Sequence, residues 1–271
     1  RKLREKWIVN MMHRESVEFG GRTLTLEVGR LAKQAHGGVW VEYGDSRVLV
    51  TACYNENSQP VGDFFPLTVD YQEKMSAVGR FPGGYIKREG RPQLRETLTS
   101  RLIDRPIRPL FSEGYRRETQ VIATVFSADK ENDPAIMAVI GASAALTVSC
   151  IPFEGPVAGV RIGLIDGQFV CNPSGEQLET ARLDLIVVSS EKAIVMVEGE
   201  CDEVSEAEMV DALMQAFEWA QPVIEAQKRL AAAAGRPKLV VTPPEKRPDL
   251  EKRLHELVAP KLRAAFAIRT K

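Results

Sequence analysis

The sequence predicts an α+β fold, and two observations lead to that prediction. Segments in which apolar and polar residues alternate, as they do in half-buried strands, occur in turn-linked pairs along the chain. Between them lie stretches with helical features, including an alanine-rich apolar stretch that begins at Pro134 and a long stretch after Ser205. Runs of strands interrupted by helices are typical of α+β cores.

The alternating segments are predicted to form hairpins, because glycine-containing dipeptides separate them. These turns are at Gly20-Gly21, Gly44-Asp45 and Asp166-Gly167. Segments 183–188 and 193–197 are predicted as a further pair. Segments 64–69 and 118–128 are predicted as additional strands of the core.

A first helix is predicted over residues 94–105, with Leu94, Leu98 and Leu102 on its core-facing side, and Pro106 and Pro109 are predicted to end it. At about 100° per residue, Arg101 and Arg105 lie beside these leucines. A cation on that side needs an anion or a cleft. Asp104 is three residues after Arg101 and four before Arg108, so it could pair with either one. Internal pairing and ligand contact both remain open on this spacing.

Three more helices are predicted further along the chain. Pro134 starts an apolar helix to about residue 148, and its small residues indicate close packing on a sheet. Ser205 and Glu208 form a capping-box pattern that starts a helix to about residue 234, which Gly235-Arg236-Pro237 ends. Segment 250–266 is a charged amphipathic helix, whose alternating charges are interpreted as a solvated face.

Composition limits the class of protein. The 271 residues are 44% hydrophobic and 27% charged, which excludes disordered and membrane proteins and allows a sizeable core. A net charge of -1 means that any site for a polyanion must come from local clustering of cations. The four cysteines contain no CxxC pair, which argues against zinc and a disulfide framework and favours a reducing cytoplasm.

Such a cluster of cations lies in the loop before the first helix. Pro82-Gly83-Gly84 and Gly90-Arg91-Pro92 are turn signals, and the segment 85–88 between them reads Tyr-Ile-Lys-Arg. An aromatic ring can stack on bases while cations follow phosphates, so the loop suits single-stranded nucleic acid. The alternative is a solvated basic loop.

Segment 101–111, Arg-Leu-Ile-Asp-Arg-Pro-Ile-Arg-Pro-Leu-Phe, resembles the signature of the bacterial polynucleotide phosphorylase family, in its first RNase PH-like core. The resemblance extends to segments 29–35, 63–71, 140–146 and 151–156. It implies an RNase PH-like core (ribosomal protein S5 domain 2-like) followed by an all-helical segment. The implied division is an N-terminal extension at 1–12, the core at 13–235, and a linker with the start of a helical domain at 236–271.

The resemblance also implies a function. Members of the family are exoribonucleases that degrade RNA from 3′ to 5′ by phosphorolysis in mRNA turnover, releasing nucleoside 5′-diphosphates. They use inorganic phosphate as co-substrate and Mg²⁺ as cofactor. They are cytoplasmic homotrimers that bind single-stranded RNA and join RNA-degrading assemblies with an endonuclease and a helicase; no membrane is involved.

Eight RNA-binding residues are implied by the same resemblance. Those matching the family's RNA-gripping loop, in which two aromatic residues precede two arginines, are Tyr85, Ile86, Lys87 and Arg88. Those matching arginines that line the channel or the approach to the active site are Arg91, Arg101, Arg105 and Arg108. The loop departs from the family pattern at Ile86 and Lys87, so we expect RNA gripping with weaker or altered stacking.

The catalytic features of the family's second core are not found in this chain. Segment 131–135, where that core has a glycine- and serine-rich phosphate loop, reads Glu-Asn-Asp-Pro-Ala. Between residues 171 and 184, where that core carries its metal-binding aspartates, the only aspartate is Asp184. The sequence therefore predicts no catalytic residue and no metal ligand here, and places Mg²⁺ in a second core.

Two other readings remain. The chain could be a non-catalytic module for RNA binding and assembly. It could also be a small-molecule kinase of the same broad fold class, against which the missing glycine-rich phosphate loop counts.

Overall fold

The computed structural model describes residues 12–58, 64–243 and 247–268. The first sheet within this part of the chain has six strands in the order β1-β2-β3-β4-β6-β5. These strands are β1 (His13–Phe19), β2 (Arg22–Val28), β3 (Gly37–Tyr43), β4 (Ser46–Tyr54), β5 (Leu67–Glu73) and β6 (Thr119–Ser127). Neighbouring strands are antiparallel except β5 and β6, which are parallel.

The second sheet is antiparallel and has the order β10-β9-β7-β8. Its strands are β7 (Val157–Ile165), β8 (Gln168–Cys171), β9 (Leu183–Ser190) and β10 (Ile194–Cys201). The helices are α1 (Leu94–Ile107), α2 (Pro134–Val148), α3 (Gly175–Leu178), α4 (Glu206–Ala234) and α5 (Pro248–Phe266). The predicted hairpins are confirmed, as are the bounds of the helix after Pro134 and the capping box at Ser205.

Helix α2 is the centre of the core, because it packs against β3 and β4 of one sheet and β7 of the other. All of its residues except Thr147 are buried. A Cβ on Gly141 would lie 2.5 Å from a methyl group of Val50 and 2.9 Å from one of Val41. The small residues of this helix thus allow the close packing that the sequence predicts.

The predicted core face of α1 is wrong. Leu94 is 75% exposed and Leu98 is 50% exposed, whereas the buried residues of the helix are Thr99, Leu102, Ile103, Pro106 and Ile107. A four-residue spacing advances by about 40° more than a full turn, so three such leucines drift around the helix and only the last reaches the core. Arg101 and Arg105 do lie beside the leucines, but on a solvent-facing side.

Pro106 lies within α1, which continues past the predicted residue 105 and stops at Ile107, between the two prolines predicted to end it. The ring of Pro106 is buried inside the last turn. The backbone N–H of Arg108 still donates to the carbonyl of Asp104, so the last turn loses only the bond that a proline cannot donate. A short 3₁₀ helix, Arg108–Leu110, follows directly.

The predicted division of the chain stays a prediction. Strand β1 begins at His13 and α4 ends at Ala234, close to the expected edges of the core, while residues 1–11 lie outside the described residues. Helix α5 has no buried side chain among its residues.

Candidate nucleic-acid interface

The loop over residues 79–92 lies in the crossover from β5 to β6. It leaves a 3₁₀ helix, Met75–Val78, through Gly79, whose φ of 69° is in the left-handed region that glycine adopts easily. It returns at Glu89, whose carboxylate accepts a hydrogen bond of 3.0 Å from the backbone N–H of Met75. Both arms of the loop therefore start from the same short helix, and the segment between them projects from the fold.

The tip of this loop presents an aromatic ring and cations to solvent. The side chain of Tyr85 is fully exposed, and those of Lys87, Arg88 and Arg91 are also exposed. Lys87 has a φ of 55° and its ammonium lies 5.5 Å from the ring centroid of Phe81. Within the described residues none of these three cations forms an ion pair with a carboxylate, so their charge is available to an external anion.

The arginines of α1 and its C-terminus differ in how far they are engaged. The guanidinium of Arg108 donates to Asp104 and to the backbone carbonyls of Phe65 and Leu67. Asp104 therefore pairs with Arg108, which resolves the alternative that the spacing left open. Arg105 pairs with Glu198 of β10, at a site where both side chains are about half exposed.

Arg101 is exposed and forms no ion pair within the part of the chain that the structure describes. Of the four arginines implied to line the channel or the approach to the active site, Arg91 and Arg101 are thus open to a ligand, whereas Arg105 and Arg108 would have to leave internal partners. The assignment of all eight residues to RNA stays a prediction.

A second cluster of charges lies at the N-terminus of α2. Asp133 caps this helix by accepting from the backbone N–H of Ala135. Its carboxylate also accepts from Arg161 of β7 at 2.7 Å, and Arg95 of α1 lies 3.5 Å from it. Arg161 forms a bidentate pair with Asp184 of β9, at 2.8 and 2.6 Å.

This cluster is internally neutralised. Hydrogen bonding to Asp184 is the largest influence on the Arg161 guanidinium, and it raises the pKa of that group although burial acts in the opposite direction. The cavity beside the cluster, lined in part by Tyr43, Asn172 and Pro173, measures about 10 Å³, which is room for one water molecule. The positive end of the helix is thus already occupied by a carboxylate of the protein itself.

Two features of these sites join residues that are distant along the sequence and were not predicted. Phe81 lies next to the loop tip in space, but the Pro82-Gly83-Gly84 turn separates it from Tyr85 in sequence. Arg161 lies 28 residues from Asp133 and 23 from Asp184 along the chain. A lone arginine in an apolar strand was the signal that could have been noticed.

Among the described residues there is no group of three or more His, Cys, Asp or Glu side chains that could hold a metal ion. In the same part of the chain no helix combines the length and the apolar character that crossing a bilayer would take.

Most of this chain matches two domains of a known protein family. Residues 20–152 match domain 1 of the 3′ exoribonuclease family, and residues 155–218 match domain 2. The chain therefore belongs to the 3′ exoribonuclease family. The rice Rrp46 structure has the same fold: its TM-score is 0.60 at 13% sequence identity, covering 82% of this chain and 96% of that one. This likeness confirms the predicted RNase PH-like α+β core.

The most informative relatives are bacterial. The chain is 52% identical to the polyribonucleotide nucleotidyltransferase of Geobacter sulfurreducens over 256 residues, which cover 94% of this chain and 37% of that protein. It is 52% identical to that of Sorangium cellulosum over 261 residues, 96% of this chain and 34% of that protein. Polyribonucleotide nucleotidyltransferase is the systematic name of polynucleotide phosphorylase, so the predicted resemblance is confirmed. The chain spans about a third of the length of these relatives.

Proposed function

We propose that this chain is the RNA-gripping first core of a polyribonucleotide nucleotidyltransferase, which degrades RNA from 3′ to 5′ by phosphorolysis in mRNA turnover. Family membership and the relatives' names support the reaction. The loop over residues 79–92 supports the proposed role of this chain in gripping RNA.

The observation that carries the proposal is a set of exposed cations that form no ion pair with any described carboxylate, next to a fully exposed ring. The tip holds Lys87, Arg88, Arg91 and the Tyr85 ring, and Arg101 adds a further cation on α1. A protein of net charge -1 gains little from general attraction to RNA, so a local cluster must supply it. Phosphates would contact the cations and a base would stack on the ring, which is how single strands are held without sequence preference.

We propose that catalysis belongs to a second core outside this chain, together with inorganic phosphate and Mg²⁺. The cluster at the N-terminus of α2 supports this division. A phosphate would have to displace the Asp133 carboxylate, and a divalent cation would have to displace the Arg161 guanidinium from Asp133 and Asp184. The same cluster favours the second candidate, a non-catalytic RNA-binding and assembly module, if the chain acts alone.

The remaining parts of the proposal rest on the resemblance. They are a cytoplasmic homotrimer, an RNA-degrading assembly with an endonuclease and a helicase, and the division into an extension (1–12), a core (13–235) and the start of a helical domain (236–271).

The proposed RNA interface is tested by the salt dependence of binding to a single-stranded oligonucleotide. The variant Lys87→Ala/Arg88→Ala/Arg91→Ala should lower the log-log salt slope by about 2, because each lost phosphate contact on a single strand removes about 0.7. The matched control is Lys130→Ala/Lys192→Ala/Arg253→Ala, which removes the same charge from exposed positions elsewhere. Equal slopes for the two variants would contradict the proposal.

The proposal that this chain binds RNA but does not catalyse phosphorolysis needs a separate assay. The 271-residue chain, incubated with RNA, inorganic phosphate and Mg²⁺, should bind RNA but release no nucleoside diphosphates. Release at the rate of a full-length relative would show that the active site lies in this chain.

A further inference from the structure

Phe81 is an exposed aromatic side chain on the same loop as Tyr85, on the arm that leaves the 3₁₀ helix. Its side chain is 75% exposed. Single exposed apolar residues are ordinary on protein surfaces and need no explanation by themselves. Phe81 differs because a cation is held over its ring and because a second, fully exposed ring lies four residues further on.

The loop geometry brings the Phe81 ring and the Lys87 ammonium together. Gly79 and the bond from Met75 to Glu89 tie the two arms at their base, and a turn over residues 84–86 reverses the chain. Lys87 then follows in the left-handed region, at a φ of 55° that residues other than glycine rarely adopt. Its ammonium lies 5.5 Å from the centroid of Phe81, within the range of a cation–π contact.

This arrangement leaves the ring accessible. With the ammonium above it, three quarters of the Phe81 side chain still faces solvent. Bases stack on any exposed aromatic face, and a cation next to that face is placed to meet the phosphate of the same nucleotide. Ring and ammonium together therefore have the chemistry of a site for one nucleotide of a single strand.

We infer that Phe81 is a second base-stacking platform of this protein, with Lys87 as the phosphate contact of the nucleotide it holds. The inference rests on the proposed function of the loop. It assigns the second stacking role to Phe81, which precedes the turn, because Ile86 at the tip has no aromatic ring. Two rings, Phe81 and Tyr85, would then hold two bases of the RNA on the two sides of the Pro82-Gly83-Gly84 turn.

The test compares Phe81→Leu, which keeps an apolar side chain but removes the ring, with Phe81→Trp, which keeps a stacking surface. The matched control is Phe64→Leu, because Phe64 is 70% exposed and lies outside the loop. The ligands are an oligoadenylate and an abasic ribose-phosphate oligomer of the same length. Phe81→Leu should bind oligoadenylate roughly 5- to 150-fold more weakly, the range expected for one lost base–ring stack.

The other measurements should give the values of the unmodified chain. Phe81→Trp and Phe64→Leu should bind oligoadenylate like the unmodified chain, and Phe81→Leu should leave both the salt slope and the abasic affinity as they were. Emission from the added tryptophan of Phe81→Trp, taken as the difference from the unmodified chain, should be quenched by oligoadenylate and not by the abasic oligomer.

Two results would overturn the inference. One is unchanged oligoadenylate affinity for Phe81→Leu. The other is an equal loss for oligoadenylate and the abasic oligomer, which would mean that the ring only positions Lys87. Failure of the proposed function has a different signature: the triple variant at Lys87, Arg88 and Arg91 would then keep the salt slope of the unmodified chain.

Discussion

Arg161 should be needed for stability because its guanidinium neutralises two partly buried carboxylates at the N-terminus of α2, and Arg161→Met tests this. The substitution keeps most of the side-chain length but removes three charge-assisted hydrogen bonds, two to Asp184 and one to Asp133. It leaves the two carboxylates without the guanidinium between them. Because the three side chains are only 16–23% exposed, solvent screens this loss poorly.

The size of the effect follows from this burial. Breaking a buried ion pair by removing one partner costs about 3–5 kcal/mol, and the partial exposure here places the expected loss near about 3 kcal/mol. For a chain of this size that corresponds to a fall in Tm of roughly 6–12 °C. The measurement is urea and thermal unfolding followed by circular dichroism at pH 7.

A matched variant separates lost pairing from lost packing. The variant Arg161→Met/Asp133→Asn/Asp184→Asn removes the charges of the arginine and of both its carboxylate partners, so most of the lost free energy of unfolding should return. A loss below about 1 kcal/mol for Arg161→Met would refute the reasoning, since three hydrogen bonds to charged groups should exceed that value. So would a triple variant that is no more stable than Arg161→Met.

The remaining predictions concern single side chains. Arg101→Ala should leave the free energy of unfolding within about 0.5 kcal/mol of the unmodified chain while weakening RNA binding; Arg108→Ala, which breaks the pair with Asp104, is the control that should lose stability. Tyr85→Ala should lose about 1–3 kcal/mol of RNA binding free energy in a fluorescence titration, and no loss would leave the tip as a solvated loop. Burial opposes ionisation of Asp129, but hydrogen bonds from Asn132, Glu131 and Asp45 outweigh it and hold the pKa of this carboxyl below its ordinary value. Asp129→Asn should therefore be less stable than the unmodified chain at pH 7, and this difference should shrink as the pH falls below about 4, where Asp129 becomes protonated in the unfolded and then the folded state. Urea unfolding at pH 7 and pH 3 measures it, and a constant difference would contradict it.

Much of the fold could be predicted because its signals are local. The turn dipeptides separate segments whose alternation matches the pleat of a strand, and the predicted hairpins formed as the pattern indicates. Pro134 and the capping box at Ser205 fixed the starts of α2 and α4 for the same reason.

The failures arose where the answer depends on what packs against a residue. Leu94 and Leu98 have the spacing of a core face, but β5, β10 and α2 contact α1 from another side. The spacing left the partner of Asp104 undecided because Arg101 and Arg108 are both about one helical turn away. The structure selects Arg108, whose guanidinium also donates to the backbone carbonyls of Phe65 and Leu67.

The candidate site was predictable only in part for a related reason. Exposed cations and glycines at the loop were visible in the sequence, whereas the contact between Phe81 and Lys87 requires the reversal of the chain between them. Arg161 and its two carboxylates come from β7, β9 and the start of α2, and no sequence spacing joins them.

The parallel pairing of β5 with β6 has a consequence for how this protein can change. Parallel neighbours need a long connection, and here residues 74–118 form it. The loop at 79–92 is part of that connection, so we expect insertions or deletions at its tip to alter neither the register of the sheet nor the packing of α2. The loop is therefore a module that selection or engineering can exchange, adjusting how an RNA strand is held while the frame around it stays the same.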